Sequence, residues 1–427
     1  MNTALRWRSI AFHCCILPIL TALLTAQAAG QSASEAALQK KSGSTAAPSF
    51  ELVGFAKLAA YGLNGTTGGG TARAVTVRTA AEFQAAVERS DIRNKKLRDE
   101  TPRVVRVVED IDLGELANET PGVQLTSVGI VKVRPHTTIF STGSGASIRR
   151  GIIEIHGAHN IIIRNLKFRD LWEEDPSGEY DRLGWDYIRV TNSGKTKSHH
   201  IWIDHCDFEK AYDGLIDITH GSDLITVSWC RLAGNERGPQ KKCMLIGHSS
   251  SANAAALDRG RLNVTLHHNW FENISDRAPR TRFGNVHLFN SFIDGAENAT
   301  ISVAGAVTLV ENCFYQDARI ATTFSHADDN VAAGRGGTLV IVDSCNIEPR
   351  PIPENPARDP FAINHHFRSS VERSALLFNP AADWAWKNRG TLPYAYHLDP
   401  VTEVPALVRQ FAGTGRISDS SLTGTSR

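Results

Sequence analysis

The stretch that decides the fold runs from Ile201 to Leu232 and reads IWIDHCDFEKAYDGLIDITHGSDLITVSWCRL. It holds two similar eight-residue segments, IWIDHCDF and ITVSWCRL, joined by a loop that carries Asp213 and Asp217. The first and third residues of each segment are apolar and share one face of a strand, because side chains alternate along a strand. The apolar eighth residue joins that face only if the chain bends in between. Each segment therefore predicts a strand, a corner and the start of a second strand.

The same pattern occurs seven times along the chain. The segments begin at Ile161, Ile201, Ile225, Val264, Val286, Val307 and Leu339, with spacings of 40, 24, 39, 22, 21 and 32 residues. Their third residues are Ile163, Ile203, Val227, Leu266, Leu288, Leu309 and Ile341, and their eighth residues include Phe168, Phe208, Leu232, Phe271, Ile293 and Phe314. Stacking such units lines up apolar columns, which predicts an all-β solenoid, a parallel β-helix. Spacings near 40 add long loops, where functional sites are usually built.

The sixth position of each segment supports this stacking. It holds small polar or sulfur-containing residues, namely Cys206, Cys230, Asn269, Ser291, Asn312 and Ser344. Successive coils lie about 5 Å apart, so Cys206 and Cys230 should be direct neighbours. We expect a disulfide between them if the protein is exported, with a stacked thiol pair as the alternative. The cysteines after residue 28 show no CxxC pairing, which argues against a thiolate metal site.

The N-terminus reads as an export signal. Arg6 and Arg8 precede an apolar stretch over residues 10–24, and Ala26-Gln27-Ala28 is a small-x-small cleavage site. A membrane anchor is the weaker interpretation, because the stretch is short for a span and contains a histidine and a proline. We expect a signal peptide over residues 1–28, a flexible linker over 29–48, a β-helix domain over 49–420, and a secreted protein.

Composition limits the remaining possibilities. The chain has 427 residues, 41% of them hydrophobic, and a net charge of +1 without a basic run. These values predict a soluble, globular chain, which we expect to be a monomer, and give no support for binding to nucleic acid or a membrane surface. The segment AAEFQAAVERS follows Thr79 and carries Glu82 at capping-box spacing, which predicts a helix that caps one end of the solenoid.

Charged residues gather in the loops that interrupt the repeat. The acids are Asp181, Asp186, Asp213 and Asp217, and the cations are Lys241, Lys242, Arg277, Arg280 and Arg282. If the coils stack, these loops leave the same side of the solenoid, and the acids face the cations across one cleft. Carboxylates gathered in this way repel one another, so a hard cation such as Ca²⁺ is their natural partner. A single aspartate in a loop is usually a turn former, so only the joint occurrence indicates a site.

Several strings in this region resemble pectate lyases of the first polysaccharide lyase family. They are IWIDHCDF, DGLIDI, ITVSW, LIGHSS, HHNWF and RAPRTRFGNVHLFNSF, in this order, and the resemblance covers about Phe50 to Ile417. It implies a right-handed parallel β-helix whose long loops form a cleft. It also implies a Ca²⁺-dependent enzyme that acts on polygalacturonate.

The resemblance assigns roles to individual residues. The metal-binding acids of the family fall on Asp186, Asp213 and Asp217. The substrate-binding lysine falls on Lys242, and the RxPRxR motif places the proton-abstracting arginine at Arg277 and a substrate-carboxylate ligand at Arg282. Some relatives carry a further aspartate two residues before the position of Asp186, where this chain has Gly184. The number of ions held before substrate arrives is therefore open.

The chemistry of uronate cleavage agrees with these roles. Elimination requires removal of the proton on carbon 5, and cations on the neighbouring carboxylate stabilise the charge that develops. Arginine side chains are normally protonated, so an arginine base predicts activity that rises into the alkaline range. Two alternatives are a pectin lyase, which would not need the acidic site, and a non-catalytic carbohydrate-binding β-helix, which could lose Lys242 or Arg277.

Overall fold

The computed structural model describes most of the chain from Pro48 onward. The described residues are 48–88, 99–117, 126–178, 180, 182–192, 196–209, 211–234, 242–324, 336–347, 364–365 and 392–422. The predicted signal peptide and nearly all of the predicted linker lie outside them, as do Asp181 and Lys241. The chain divides into two compact units, Met1–Phe50 and Glu51–Arg427, and all elements below belong to the second.

The second unit is a parallel β-helix whose coils each contribute a strand to two or three faces. Face A is a ten-stranded parallel sheet. Its strands are β3 (Ala74–Val77), β4 (Arg103–Val107), β7 (Thr137–Ser141), β10 (His159–Arg164), β13 (His199–Asp204), β16 (Asp223–Ser228), β19 (Asn263–His267), β22 (Asn285–Phe289), β24 (Val307–Glu311) and β26 (Thr338–Val342). All seven segments of the sequence repeat supply strands of this face, in chain order, which confirms the predicted solenoid.

Faces B and C form the rest of each coil. Face B contains β5 (Ile111–Asp112), β8 (Ala146–Arg149), β11 (Leu166–Arg169), β14 (Asp207–Glu209), β17 (Arg231–Ala233), β20 (Trp270–Asp276), β23 (Phe292–Val303), β25 (Phe314–Thr323) and β27 (Cys345–Ile347). Face C contains β6 (Gly129–Lys132), β9 (Gly151–His156), β12 (Ile188–Thr191), β15 (Ile216–Ile218), β18 (Met244–Ile246) and β21 (Arg280–Arg282). The long strand β23 pairs with both β20 and β21, so it joins the two faces.

Apolar columns fill the interior as the repeat predicts. The third-position column runs through Ile163, Ile203, Val227, Leu266, Leu288, Val310 and Ile341, and the eighth-position column through Phe168, Phe208, Leu232, Phe271, Ile293 and Tyr315. The rings of Phe168 and Phe208 stack with their centroids 4.7 Å apart. This confirms the corner between the third and eighth positions.

The predicted alignment of the Val307 segment was wrong by one residue. Val310 pairs with Leu288 and is fully buried, whereas Leu309 lies on the outer side of the strand. Tyr315, not Phe314, pairs with Ile293. The bare coils here have a constant length of 22 residues. The apolar triplet at Val307 resembles the one at Val264, and starting the segment at Val307 gave a spacing of only 21 residues from Val286.

The expected disulfide between Cys206 and Cys230 is also wrong. Both cysteines are buried free thiols on adjacent coils. The Cys230 Sγ atom accepts a hydrogen bond from the Cys206 backbone N–H at 3.4 Å, and each thiol lies near a backbone carbonyl oxygen at 3.3 Å. In-register parallel neighbours about 4.8 Å apart hold their Cβ atoms too far apart for a relaxed disulfide. The same column continues through Asn269, Ser291, Cys313 and Ser344, so Cys313 takes the place predicted for Asn312.

Helix α1 (Ala80–Val87) confirms the predicted capping helix. The Thr79 Oγ1 atom accepts a hydrogen bond from the Glu82 N–H at 3.2 Å, and the Glu82 carboxylate accepts one from the Arg78 N–H at 2.7 Å. Phe83 and Val87 are fully buried in the main core, which includes residues of the first coil.

Short elements complete the fold. They are the 3₁₀ helices Phe55–Lys57 and Leu113–Leu116, the hairpin β1 (Ala59–Ala60) and β2 (Leu63–Asn64), α2 (Ala252–Asp258), β28 (Asn364–His365), α3 (Val404–Phe411) and α4 (Asp419–Leu422). Face A is covered by both ends of the unit, since Phe55 N and the Tyr394 hydroxyl both bond Thr265 Oγ1, at 3.0 and 2.8 Å. Among the described residues, no helix has the length and apolar composition needed to cross a membrane.

Candidate active site

The predicted site residues come together along face C. Asp217 lies on β15 and Arg282 on β21, whereas the other four lie in the connections that lead from face B into face C. Those four are Asp186, Asp213, Lys242 and Arg277. Because β12, β15, β18 and β21 are consecutive neighbours in one parallel sheet, their leading connections leave the same side of the solenoid. The structure brings Asp186, Asp213, Asp217, Lys242 and Arg277 together, and Arg282 lies on β21 of the same face.

Asp186 and Asp217 share a small space beneath the loop that begins at Asp213. The Gly214 backbone N–H donates a hydrogen bond to Asp186 Oδ1 at 2.8 Å. A Cβ atom on Gly214 would lie 2.6 Å from Asp186 Oδ1 and 3.4 Å from Asp217 Oδ1. Asp217 Oδ1 is buried and has no hydrogen-bond partner among the described residues. A buried carboxylate oxygen without a donor is suited to a cation.

The electrostatics of these two acids point the same way. Burial, reinforced by the nearby charge of Asp213, raises the pKa of Asp186 to about 6. Burial and the charge of Asp186 raise the pKa of Asp217 well above its ordinary value. A bound cation would remove this repulsion and favour the ionised forms. The donors therefore fit Ca²⁺, which prefers carboxylate oxygens and accepts irregular geometry.

Asp213 lies between the other acidic residues and the cationic residues of the site. Its Oδ1 atom accepts a hydrogen bond from Lys242 Nζ at 3.0 Å and lies 3.8 Å from Arg277 Nη1. All three side chains are largely buried, with 15 to 21% of their surface exposed. Asp213 therefore places Lys242 and Arg277 directly beside the group formed by Asp186 and Asp217.

The backbone at Arg277 is unusual. Its φ of 75° lies in the left-handed region, which a branched or long side chain seldom adopts. Its N–H and C=O are both used, by Asn298 O at 3.2 Å and Met244 N at 2.7 Å, and a cis peptide bond joins Ala278 to Pro279. The two backbone hydrogen bonds hold Arg277 in this left-handed conformation.

Arg282 lies one coil further along face C from Gly247. Its Nη1 atom donates to the carbonyl oxygens of Gly247 and His248, at 3.1 and 3.3 Å. Gly247 has a φ of 90°, and a Cβ atom there would lie 2.5 Å from Arg282 O. The close approach of these two backbones thus requires a glycine, and it fixes the guanidinium beside the 247–248 turn.

Sequence reasoning missed two charged residues of the site. Arg189 stands on β12 in register with Asp217 on β15, and its charge opposes the raised pKa values of Asp186 and Asp217. Asp276, the last residue of β20, makes ion pairs with Arg277 and Arg280. Arg189 lies on β12 between the buried Ile188 and Val190, but only the register between β12 and β15 brings it beside Asp217. Asp276 adjoins Arg277 in sequence, but nothing in the sequence indicates where the Asp276 side chain points.

A buried carboxylate braces the loops that carry the acids. Asp175 accepts hydrogen bonds from the Tyr212 hydroxyl, from Ser177 Oγ at 2.7 Å and from Arg182 Nη2 at 2.8 Å. Tyr212 immediately precedes Asp213, and the Tyr212 hydrogen bond, first among several, holds the pKa of Asp175 below its usual range. The 171–187 connection is thus tied to the connection that leads to β15.

A second group of possible metal ligands lies on the edge of face A. It consists of Glu100, His136 and His159. The Asn160 Oδ1 atom accepts from the backbone N–H groups of residues 67–68 at 2.7 and 2.8 Å, so its Nδ2 must face His136 Nδ1 at 2.8 Å. That bond makes Nδ1 the acceptor and places the ring proton of neutral His136 on Nε2, which leaves no lone pair for a metal. The His159 ring instead packs against His136 and stacks on His199, with centroid separations of 4.9 and 4.8 Å.

Comparison with known proteins gives one consistent family. The family model described as pectate lyase matches residues 15–334. Pectate lyase B of Paenibacillus amylolyticus is 30% identical over 312 residues, which cover 58% of this chain and 74% of that protein. A pectate trisaccharide-lyase of Bacillus licheniformis is 29% identical over 387 residues, covering 86% and 88%. The match to a Thermotoga maritima pectate trisaccharide-lyase, 35% identical, spans only 56% of that relative's length.

Solved structures show the same fold. A pectate lyase from Paenibacillus sp. 0602 superposes with a TM-score of 0.65 at 24% identity, covering 88% of this chain and 99% of that one. A pectate lyase from Bacillus sp. N165, solved in complex with trigalacturonate, gives a TM-score of 0.60 at 23% identity, covering 86% and 100%. At these identities the likeness concerns the parallel β-helix itself.

Proposed function

The chain belongs to the pectate lyase family, and we propose that it cleaves α-1,4-polygalacturonate by Ca²⁺-assisted β-elimination, giving 4,5-unsaturated oligogalacturonides. One observation carries this proposal. Asp186, Asp213 and Asp217 converge directly beside Lys242 and Arg277, around a buried Asp217 oxygen that has no hydrogen-bond partner in the part of the chain that the structure describes. Carbohydrate polyanions and a hard cation together match such a mixed site.

The three carboxylates are the proposed metal ligands. Asp217 offers its Oδ1 atom, which has no hydrogen-bond partner among the described residues, and Asp186 is oriented by the Gly214 N–H. When bound, Ca²⁺ supplies a Lewis acid that stabilises negative charge on the uronate carboxylate. Lys242 and Arg282 are the proposed substrate ligands, since Lys242 Nζ lies beside Asp213 and the Arg282 guanidinium is held at the 247–248 turn of the same face. Two fixed cations stabilise an anion that grows during the reaction more than they stabilise the ground state.

Arg277 is the proposed base. It would take the proton from carbon 5, the C4–O bond would break, and the electrons would form the C4–C5 double bond while the leaving oxygen acquires a proton. Arginine is an unusual base because its guanidinium is normally protonated. The proposal therefore predicts that activity at saturating substrate rises into the alkaline range. A flat or acid-peaked profile would contradict this role.

The two alternatives are less well supported. A pectin lyase acting on methyl-esterified chains has no use for three converging acids, yet Asp186, Asp213 and Asp217 are all present. A non-catalytic binding protein could dispense with Lys242 or Arg277, and this chain retains both. Activity on substrates of graded esterification separates the first alternative, because a pectate lyase loses activity as esterification rises.

The central experiment is a product assay. Polygalacturonate with Ca²⁺ should give unsaturated products that absorb in the near ultraviolet, and both EDTA and Arg277→Ala should abolish them. Readdition of Ca²⁺ after EDTA should restore the wild-type rate, and Arg409→Ala, which alters an arginine paired with Asp294 on the surface, is the matched control. Undiminished product in EDTA would reject the metal requirement.

Export of the protein is a separate part of the proposal. It rests on the basic, apolar and small-x-small pattern of residues 1–28. Expression of the full chain in a secreting bacterial host should place activity outside the cytoplasm, with a mature N-terminus directly after Ala28. A cytoplasmic product with an intact Met1 would reject it.

A further inference from the structure

We infer that Asp276 is a positioning residue that orients the guanidinium of Arg277. This inference rests on the proposed function, because it concerns the residue proposed there as the base. Asp276 ends strand β20, next to Arg277 in the chain, and forms a parallel bridge with Lys242. It therefore lies beside the proposed base and opposite the proposed substrate ligand Lys242 on the preceding coil.

The contacts of Asp276 are asymmetric. Its Oδ2 atom lies 3.6 Å from Arg277 Nε and 3.4 Å from Arg280 Nη1. Its Oδ1 atom is buried without a hydrogen-bond partner among the described residues. Among the described residues, the ionic contacts of this carboxylate are with two arginines of the RxPRxR motif, and Arg280 Nη1 also donates a hydrogen bond to Oδ2.

Arg277 is consequently held from two sides. Asp276 lies beside its Nε edge, and Asp213 Oδ1 lies 3.8 Å from Nη1. Arg277 Nε is buried and has no hydrogen-bond partner among the described residues, so the Asp276 carboxylate restrains the guanidinium by ionic attraction. Because the guanidinium is planar, this attraction favours one direction for both terminal nitrogens. A flexible arginine without this restraint would sample several rotamers, and only some of them place a nitrogen in reach of a substrate proton.

This assignment separates two effects on the kinetics. Substrate binding depends on Lys242 and Arg282, which Asp276 does not contact through its side chain. Proton removal depends on the orientation of Arg277. The loss of a restraint that acts only on the reacting group lowers kcat and leaves KM nearly unchanged.

The test uses Asp276→Asn, Asp276→Glu and the matched control Asp294→Asn in the full-length protein. Asp294 forms a carboxylate–arginine pair with Arg409 at 2.9 Å on neighbouring strand β23. We expect Asp276→Asn to lower kcat on polygalacturonate about tenfold with KM within about twofold. Asp276→Glu should recover at least a third of the wild-type kcat, and Asp294→Asn should match the wild type.

A second readout does not depend on turnover. In ¹⁵N spectra, the Arg277 Nε–H signal, assigned by its loss in Arg277→Lys, should exchange with water several times faster in Asp276→Asn than in the wild type. If the wild type forms no unsaturated product but this exchange difference is present, the proposed function fails and the positioning role stands. An unchanged exchange rate, a kcat within about twofold of the wild type, or an equal loss in Asp294→Asn would overturn the inference.

Discussion

The Gly214 backbone N–H donates to Asp186 Oδ1 at 2.8 Å, so one proposed metal ligand holds the loop that presents the other two. No space remains between Gly214 and Asp186 for a further carbon atom. A Cβ atom on Gly214 would lie 2.6 Å from Asp186 Oδ1 and 3.3 Å from Cys243 O. The glycine is required here by close approach, since its φ lies outside the left-handed region.

Gly214→Ala should therefore disrupt the site while the backbone keeps its conformation. The added methyl must displace the Asp186 carboxylate, and we expect at least a tenfold loss of kcat/KM at limiting Ca²⁺, recovered in part at high Ca²⁺. Overpacking of this kind costs about 1–3 kcal/mol of stability. Gly184→Ala is the control, because nothing lies within 4 Å of a Cβ there. Equal activities of the two variants would contradict the close packing of Gly214 against Asp186.

Gly184 also offers a gain of function. It stands two residues before Asp186, is exposed, and has open space where a side chain would begin. Gly184→Asp should add a carboxylate to the site and raise Ca²⁺ affinity several-fold, because affinity follows the number of charged ligands. Isothermal titration calorimetry with Ca²⁺ measures the change, with Gly184→Asn as the uncharged control. Identical affinities of the two variants would show that this position is too far from the ion.

Much of this architecture follows from the sequence, because a solenoid repeats one local rule. Apolar residues at the first, third and eighth positions identified the strands and corners, and chain order then placed the long loops on one side. The slip at Val307 has a plain cause. Two similar apolar triplets can be aligned by likeness, but the coil length that decides the register is a property of the stacked backbone.

The candidate site was likewise predicted only in part. Six site residues carried by motif strings, such as Asp217 and Arg277, were predicted from the sequence, and their roles stay predictions. Asp276 and Arg189 were not, because their roles depend on which face of a strand they occupy and on charges from other coils. The disulfide failed for a related reason, since adjacency of Cys206 and Cys230 says nothing of the Cβ separation between parallel rungs.

Asp217→Asn should have opposite effects on stability and activity. Burial and the charge of Asp186 raise the pKa of Asp217, so its ionised form destabilises the fold in the absence of a cation. The variant should unfold at equal or higher urea than the wild type in EDTA, yet lose at least a hundredfold in kcat/KM. Ca²⁺ should stabilise the wild type and leave the variant nearly unchanged. A variant destabilised in EDTA would reject the repulsion between the acids.

Tyr212→Phe tests the brace between the two acid-bearing loops. The change removes only the hydroxyl that donates to Asp175, and it leaves the ring in its buried cluster with Tyr180 and Trp185. We expect Ca²⁺ affinity to fall about tenfold, the lower end of the roughly 10–100-fold that outer-shell contacts typically control. Tb³⁺ luminescence sensitised by these aromatic rings reports binding without turnover. Tyr180→Phe is the control, since its hydroxyl donates to Glu174 at 3.0 Å instead; equal losses in both variants would point to general loop damage.

Asp258 gives the stability a defined pH dependence outside the site. It is fully buried at the end of α2, its Oδ1 accepts the Gly221 N–H at 2.6 Å, and burial raises its pKa to about 6. Between about pH 4 and pH 6 the native state therefore holds a proton that the unfolded chain has lost, so stability contributed by this group falls as pH rises through that window. The cost at pH 7 is about 2.5 kcal/mol relative to pH 4, because the unfolded carboxyl is already more than half ionised at pH 4. Asp258→Asn keeps an acceptor for Gly221 and cannot ionise, so its stability relative to the wild type should rise by about this amount from pH 4 to pH 7 in urea unfolding. The cost of burying the amide is the same at pH 4 and pH 7, so it does not affect the change between them. A stability difference between the variant and the wild type that does not change with pH would show that the pKa of Asp258 is not raised.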